Sequence, residues 1–151
     1  MANTQAMCTS FKTEVLSGIH ALGTTVIRAG TGADTIKAAL YLASATVNSA
    51  TTAYSATGEV SGTGYTAGGV TATNATAPTS SGTAAYWTPS ASFTYTPVTL
   101  ATSFDCVLLY NGTQANKSIS AHTFGAQTIT AGTFVLSMPA NDASNALIRI
   151  A

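Results

Sequence analysis

Few side chains in this sequence could perform acid–base, nucleophilic or metal-dependent chemistry. Two histidines, two cysteines and five acidic residues are available in 151 residues. Neither His20 nor His122 belongs to a metal-binding pattern such as His-Glu-x-x-His. The acidic residues are isolated along the chain, with no pair at a spacing typical of general acid–base catalysis. We therefore predict no catalytic residue, no metal site and no cofactor, and the chain is not predicted to be an enzyme.

Two glycine-rich segments could in principle bind phosphate. The first, Gly30-Thr31-Gly32-Ala33-Asp34, lacks both a third glycine at the dinucleotide-binding spacing and a Gly-Lys-Ser/Thr ending. The second runs from Gly62 to Gly69 and precedes predicted strands, whereas a phosphate loop opens a helix. Both segments are interpreted as turns that use the positive φ angles open to glycine.

The cysteines, Cys8 and Cys106, lie in apolar surroundings, Cys106 within the run DCVLLY. The sequence begins without a basic stretch followed by an apolar core, so no secretory signal is predicted. We interpret both residues as reduced, small apolar side chains. A Cys8–Cys106 disulfide remains the alternative.

The chain is unusually poor in charge. Charged residues make up 7% of it and the formal net charge is zero, against about 25% charged residues in an ordinary soluble domain. Without a basic patch, binding to nucleic acid is not predicted. Without an apolar run of about 18 residues, no membrane span is predicted. Such a surface is typical of a subunit that stays in contact with other proteins.

An amphipathic helix is predicted near the N-terminus. Five apolar residues recur at steps of four and three, which places them on one helical face, and Gly23 follows as a natural end. We assign residues 1–35 to an N-terminal helix and arm, which packs either on its own domain or on a neighbouring subunit. The predicted apolar stripe consists of Met7, Phe11, Val15, Ile19 and Leu22.

The remainder, 36–151, is predicted to be one β domain. Segment 36–44 has apolar residues at both odd and even positions, which fits a strand buried on both faces or a short helix. About eight short strands with turn signals every 8–12 residues favour an antiparallel β-sandwich, either jelly-roll or immunoglobulin-like. Asn111-Gly112 is a strong turn signal, and Pro97 predicts an edge or bulged strand. The later predicted strands cover 83–88, 92–100, 104–110, 118–124, 127–130, 132–138 and 146–150.

Aromatic residues cluster in the middle of the chain. Adjacent Tyr86 and Trp87 must point to opposite faces of a strand. One of them should fill the core, while the other is available as an interface anchor, since Tyr and Trp are enriched at binding hot spots. A platform that stacks on carbohydrate is a further interpretation of the same cluster.

Several phrases of this sequence resemble a group of small virion proteins of tailed bacteriophages. They are TGEVSGTGYTAGGVTATNATAPTSSGTAAYWTPSASFTYTPVTL (57–100), CVLLYN (106–111), HTFG (122–125), GTFVLSMP (132–139) and SNALIRIA (144–151). The resemblance covers about the last 100 residues and carries no catalytic motif. It implies a structural β-sandwich subunit of the phage particle, and no site residues carry over from it.

From these observations we expect a capsid decoration, or cement, protein, located in the virion after assembly in the host cytoplasm. Its expected partners are the major capsid protein and copies of itself as a homo-oligomer, with no nucleic acid and no membrane. A tail, collar or fibre-associated virion subunit is the first alternative, and a carbohydrate-binding module is the second. The residues expected at the protein–protein interface are Phe11, Val15, Ile19, Tyr86 and Trp87.

Overall fold

The protein is mainly β, and its strands pair antiparallel in two sheets. The computed structural model describes residues 3–8, 10, 11, 15, 19–22, 33–73 and 76–150. The expectation of a mainly β, antiparallel chain is confirmed. The strands are β1 (Ala6–Met7), β2 (Ile36–Leu42), β3 (Val70–Thr71), β4 (Thr79–Ser81), β5 (Ala84–Trp87), β6 (Phe93–Asn111), β7 (Lys117–Leu136) and β8 (Ile148–Ile150).

The larger sheet is built around a long hairpin. Its order is β1-β7-β6-β2-β3, so β6 and β7 lie at its centre, and the smaller sheet has the order β4-β5-β8. Strands β6 and β7 pair from Phe93 opposite Leu136 to Asn111 opposite Lys117. The predicted turn after Asn111 is confirmed, because the strands are joined through 112–116.

The hairpin replaces five shorter strands predicted between 92 and 138. The chain passes Pro97 and Gly125 without leaving the sheet, although the register shifts, for example between Tyr95 and Val98. A β-bulge adds a residue to one strand and bends it while pairing resumes on the far side. Gly125, which was interpreted as a break between strands, therefore lies within one long strand, and the register shift beside Pro97 fits the bulged strand that this residue predicted.

Strand β2 is buried on both faces, as one of the two interpretations of 36–44 predicts. Ile36, Ala38 and Leu40 belong to one apolar cluster, and the alternate residues Ala39 and Tyr41 belong to another. Successive side chains of a strand point to opposite faces. The centre of the larger sheet is thus covered on both sides.

The smaller sheet packs against one of these faces. Trp87 of β5 and Ile148 of β8 share a cluster with Leu40 of β2 and Leu100 of β6. Trp87 and Ile148 are also opposite each other in the β5–β8 pair. The two sheets therefore contribute to one continuous apolar core.

The N-terminal segment differs from the helix predicted over 7–22. Met7 lies in β1, opposite Ser120 of β7, and the next amide, Cys8 N–H, donates to the Ile119 carbonyl at 3.1 Å. These strand contacts satisfy backbone groups that a helix would otherwise use. Phe11 and Val15 have helical backbone, whereas 19–22 does not. The intervening residues, the predicted helix end at Gly23 and the extended piece at 25–28 lie outside the described residues.

Candidate functional site

An apolar groove lies between the N-terminal segment and the smaller sheet. Its volume is about 200 Å³. Four of the five residues predicted from sequence to form an interface line it, and they come from segments far apart in the chain. Its lining includes Phe11, Val15, Tyr86, Trp87, Ile148 and Ile150, and His20 and Leu22 of the N-terminal segment also line it.

Two buried aromatic rings form the floor of the groove. Trp87 is 1% exposed, and its indole N–H donates to the Thr76 carbonyl at 3.0 Å. Phe11 is fully buried and packs edge-on against the His20 ring, with 4.8 Å between ring centroids. Rings held in this way by packing and hydrogen bonding give the groove a defined shape.

The rim of the groove is more accessible. Ile150 is 47% exposed and Tyr86 is half-buried, whereas Trp87 and Ile148, which lie opposite each other on β5 and β8, are buried. Among the described residues, Ile150 and Val135 are the exposed large hydrophobic side chains. Apolar surface in a concave, preformed site is typical of protein–protein or ligand contacts.

The fifth predicted interface residue, Ile19, is half-buried and does not line the groove. The sequence predicted that one of Tyr86 and Trp87 fills the core without deciding which, and the structure shows that it is Trp87. Phe11 and Trp87 are buried, so the half-buried Val15 and the exposed Ile150 are the lining side chains that a partner could contact most directly. No sequence signal pointed to Ile150, since a terminal strand of alternating residues does not reveal which face is covered.

A second cluster, which the sequence did not indicate, surrounds Glu59. Its carboxylate accepts hydrogen bonds from the Tyr54 hydroxyl at 2.6 Å, the Tyr65 hydroxyl at 2.7 Å and the Gly68 amide at 2.7 Å. Burial, together with the carboxylate, raises the pKa of Tyr54 and Tyr65 above the ordinary tyrosine value. These tyrosines stay protonated and act as donors, so the cluster holds the 54–68 segment together.

A third cluster ties the N-terminal segment to the hairpin turn. The Asp34 carboxylate is 5% exposed and accepts from the Asn111 amide at 2.7 Å, the Ala21 backbone amide at 2.8 Å and the Gln114 amide at 3.2 Å. A buried carboxylate with several donors is satisfied rather than reactive. This cluster is structural, and it positions 19–22 beside the groove.

The residues that could serve as nucleophiles are poorly placed for chemistry. Cys8 and Cys106 are buried, and they belong to clusters on opposite faces of the larger sheet. Burial raises the pKa of Cys106 to about 12, so its reactive thiolate is suppressed. Each cysteine therefore serves as a small apolar side chain, as the sequence predicts.

A serine and a histidine come within hydrogen-bonding distance on β7. The Ser120 hydroxyl and the His122 Nε2 atom are 2.9 Å apart. Burial lowers the pKa of His122 to about 4, which keeps the imidazole neutral. Ser120, however, is 2% exposed and lies between β1 and β6, where a substrate carbonyl could not reach it. The contact between Ser120 and His122 is therefore a structural hydrogen bond within the sheet.

Within the described residues, no group of three or more His, Cys, Asp and Glu side chains could hold a metal ion. The same part of the chain contains no helix with the length and hydropathy of a membrane span. Comparisons with known proteins return no matching protein family, no matching curated protein and no matching solved structure. The apolar groove is therefore the feature from which function can be argued.

Proposed function

We propose that this chain is a structural protein of a tailed-bacteriophage virion, and specifically a capsid decoration protein that binds and stabilises the major capsid shell. The observation that carries the proposal is the apolar groove with the exposed Ile150 at its rim. A preformed apolar site on a chain with 7% charged residues fits a permanent protein contact better than it fits a catalytic centre.

The scarcity of charged residues supports the same function. Burying a charged side chain in a contact requires its desolvation, and that penalty often exceeds the gain from ion pairing. Surface threonines and serines carry a smaller penalty and can form hydrogen bonds across an interface. Many copies on one shell would add avidity, so that each individual contact can be weak.

For the architecture, we propose an antiparallel β-sandwich of the jelly-roll or immunoglobulin-like kind as the body of the subunit. The shared core supports this, since Trp87 of the smaller sheet packs in one cluster with Leu40 of the larger sheet. In this arrangement the N-terminal segment acts as the arm. Val15 and the β8 edge are presented together to the capsid protein.

The first test is the copy number in purified virions, measured by quantitative mass spectrometry against the major capsid protein. A decoration protein is expected at parity with the shell protein or at a simple fraction of it, because it follows the symmetry of the shell. A copy number of only a few per particle would instead indicate a location in the tail, collar or fibre base. Absence from the virion would overturn the proposal.

The groove itself can be tested by a charge placed at its rim. Ile150→Glu puts a carboxylate on a 47% exposed position, so the fold should be retained while an apolar partner is repelled. We expect at least a tenfold lower occupancy on capsids lacking the endogenous protein. Thr102→Glu, at an exposed position of β6 that does not line the groove, is the matched control and should bind as the unmodified chain does.

One observation favours a second function, carbohydrate binding. The rings of Tyr65 and Tyr95 are nearly parallel, with 18° between their planes and 6.0 Å between centroids, but Tyr95 is 3% exposed, so Tyr65 is the ring that a sugar could contact. They line a pocket of about 250 Å³ together with Thr94 and Thr96, and no charged residue lines it. Titration of the isolated chain with a panel of neutral sugars, followed by NMR, tests this function. Shifts confined to the pocket residues would favour it over decoration.

A further inference from the structure

The turn between β6 and β7 begins with a chemically labile pair of residues. Asn111-Gly112 is the one asparagine–glycine pair in the sequence. In such a pair the glycine nitrogen can attack the asparagine side-chain carbonyl carbon, because glycine has no side chain to hinder the approach and allows wide backbone rotation. Asparagine is already among the thermolabile residues. The pair that forms the turn is thus also a candidate site of deamidation.

Deamidation at this pair needs no reagent except water. The Gly112 nitrogen forms a bond to the Asn111 Cγ atom and gives up its proton, and the bond from Cγ to Nδ2 breaks as ammonia leaves with that proton. Water then opens the resulting succinimide ring at one of its two carbonyl groups, and nothing is oxidised or reduced. The product is aspartate or isoaspartate at position 111, so a carboxylate replaces a neutral amide.

The fold engages both of the groups that would react. The Gly112 amide N–H donates to the carbonyl of Thr35, directly before β2, at 2.8 Å. The Asn111 side chain is fully buried, and its Nδ2 atom donates to the Asp34 carboxylate at 2.7 Å. Attack therefore requires Asn111 and Gly112 to leave these partners and rotate toward each other, and hydrolysis requires water to enter. The contact of Asp34 and Thr35 with the turn opposes both steps.

The same contact supports one wall of the apolar groove. Asp34 also accepts from the Ala21 amide at 2.8 Å, and the Asn111 Nδ2 atom lies 3.1 Å from the His20 Nδ1 atom. His20 and Leu22 line the groove. Separation of Asp34 from the turn therefore removes hydrogen bonds that hold 19–22 beside the groove.

A carboxylate at position 111 would prevent this contact from forming again. It would face the Asp34 carboxylate, which is 5% exposed, at a position where the amide now donates a hydrogen bond. Two like charges in a buried site disfavour each other strongly. Opening of the contact is reversible before deamidation and opposed by charge repulsion afterwards.

We propose that Asn111 is a conformation-dependent deamidation site. The contact of Asp34 and Thr35 with the turn keeps it unreactive, and its modification prevents that contact from forming again and leaves 19–22 without its support. This inference goes beyond the proposed function and does not depend on which partner the groove binds, so each can fail without the other.

Peptide mass spectrometry of the purified chain, incubated at mildly alkaline pH with and without denaturing urea, tests the protection. Aspartate and isoaspartate at position 111 should form at least about a hundredfold more slowly in the folded chain, because reaction there requires local opening. Asn116, which is exposed in the same turn, is the internal control, and its rate should change less. Equal rates at position 111 in the two conditions would overturn the inference.

Variants separate the local contact from general stability. Asp34→Asn removes the carboxylate but nearly keeps its shape, and should speed deamidation of Asn111 in the folded chain at least about tenfold. Leu108→Ala, in the core, should speed it less when the two variants are compared at equal free energy of unfolding. Should Asp34→Asn fail to fold, Gln114→Ala, which removes only the 3.2 Å bond to Asp34, allows the same comparison. A rate that follows global stability alone would contradict the role of the contact.

The effect of the product is tested by Asn111→Asp, which carries its charge. This variant should have a lower urea midpoint, and acrylamide should quench Trp87, the single tryptophan and a lining residue of the groove, more strongly. Asn116→Asp adds the same charge at an exposed position of the turn and should leave both readouts unchanged. If Asn111→Asp behaves as Asn116→Asp does, the proposed consequence of deamidation is wrong.

Discussion

At the scale of single residues, Glu59 shows how a carboxylate can serve a fold without serving catalysis. It accepts from two tyrosine hydroxyls and one backbone amide, and the Tyr65 hydroxyl in turn accepts from the Leu40 amide of β2. Each donor is partly withdrawn from water, so each bond replaces solvation that folding removes. The network links the 54–68 segment to the larger sheet.

Removal of one hydroxyl from this network should be measurable. Tyr65→Phe leaves Glu59 and the Leu40 amide each short of a partner, and we expect the free energy of unfolding to fall by about 1–3 kcal/mol. Urea denaturation measures the change. Tyr86→Phe is the matched control, because no hydrogen bond of the Tyr86 hydroxyl is present among the described residues, and it should change stability by less than about 0.5 kcal/mol. Equal losses would contradict the role of the network.

His122 should make stability depend on pH on the acidic side. Its pKa is about 4 in the folded chain and 6.5 ordinarily, so between these values the unfolded chain binds more protons. The free energy of unfolding should therefore fall as pH drops from about 6.5 to about 4, by of the order of 3 kcal/mol.

The measurement is the urea midpoint across this pH range for the unmodified chain and for His122→Gln. Glutamine keeps a polar partner for the Ser120 hydroxyl but does not titrate. The variant should lack the loss of stability that His122 causes in this window. Identical pH profiles for the two proteins would show that His122 is not the responsible group.

At the scale of elements, the glycines of the 62–69 segment allow a close approach to the sheet. Gly69 has a φ of 71°, and a Cβ atom there would lie 1.7 Å from the Ala38 carbonyl oxygen. Such a contact is with backbone, so it cannot be relieved by a side-chain rotation. The turn predicted at Gly68-Gly69 thus packs directly on β2, next to β3.

Two glycine substitutions separate this close approach from conformational strain. Gly82 also has a positive φ, 59°, but a Cβ atom there would meet nothing within 4 Å. Gly82→Ala should lower the free energy of unfolding by only about 1–2 kcal/mol, the cost of left-handed backbone. Gly69→Ala should lower it by at least about 2 kcal/mol more, because the backbone must move. Similar urea midpoints for the two variants would contradict the close approach.

At the scale of the whole molecule, the larger sheet is packed on both faces. Adjacent Leu108 and Leu109 of β6 are both fully buried, yet they belong to different apolar clusters. Ala45, Val47 and Tyr54 cover one face, and the smaller sheet contributes to the cover of the other. Packing on both faces of the larger sheet therefore contributes to the free energy of unfolding.

Leu108→Ala and Leu109→Ala should accordingly have similar effects. Each removes a fully buried leucine side chain, and each should lower the free energy of unfolding by about 2–5 kcal/mol. In a sheet with one solvated face, only one of the two neighbours would show this loss. Urea denaturation of both variants provides the comparison, and Thr102→Ala, at an exposed position of the same strand, serves as the control.

Much of the local structure could be predicted from sequence because local patterns encode it. The apolar residues at both odd and even positions of 36–44 indicated a strand buried on both faces or a short helix, of which the structure has the strand, and Asn111-Gly112 indicated a turn. The prediction was wrong at Gly125, because a glycine marks either a strand end or an irregularity within a strand, and only pairing with a neighbour decides between them. Met7 likewise fitted a helical stripe but pairs with β7.

The sequence by itself determined the fold class of this protein, which is mainly β with antiparallel strands. Its β-branched residues and turn signals specify antiparallel strands, and its sparse charges specify an uncharged surface, because both properties depend on residue type and local order. The tertiary structure alone decided which residues meet. Phe11 reaches Trp87, and Asn111 bonds Asp34 across 77 positions, because sheet order brings distant segments together. The groove exists only after that assembly, because its lining residues come from the N-terminal segment and from the smaller sheet.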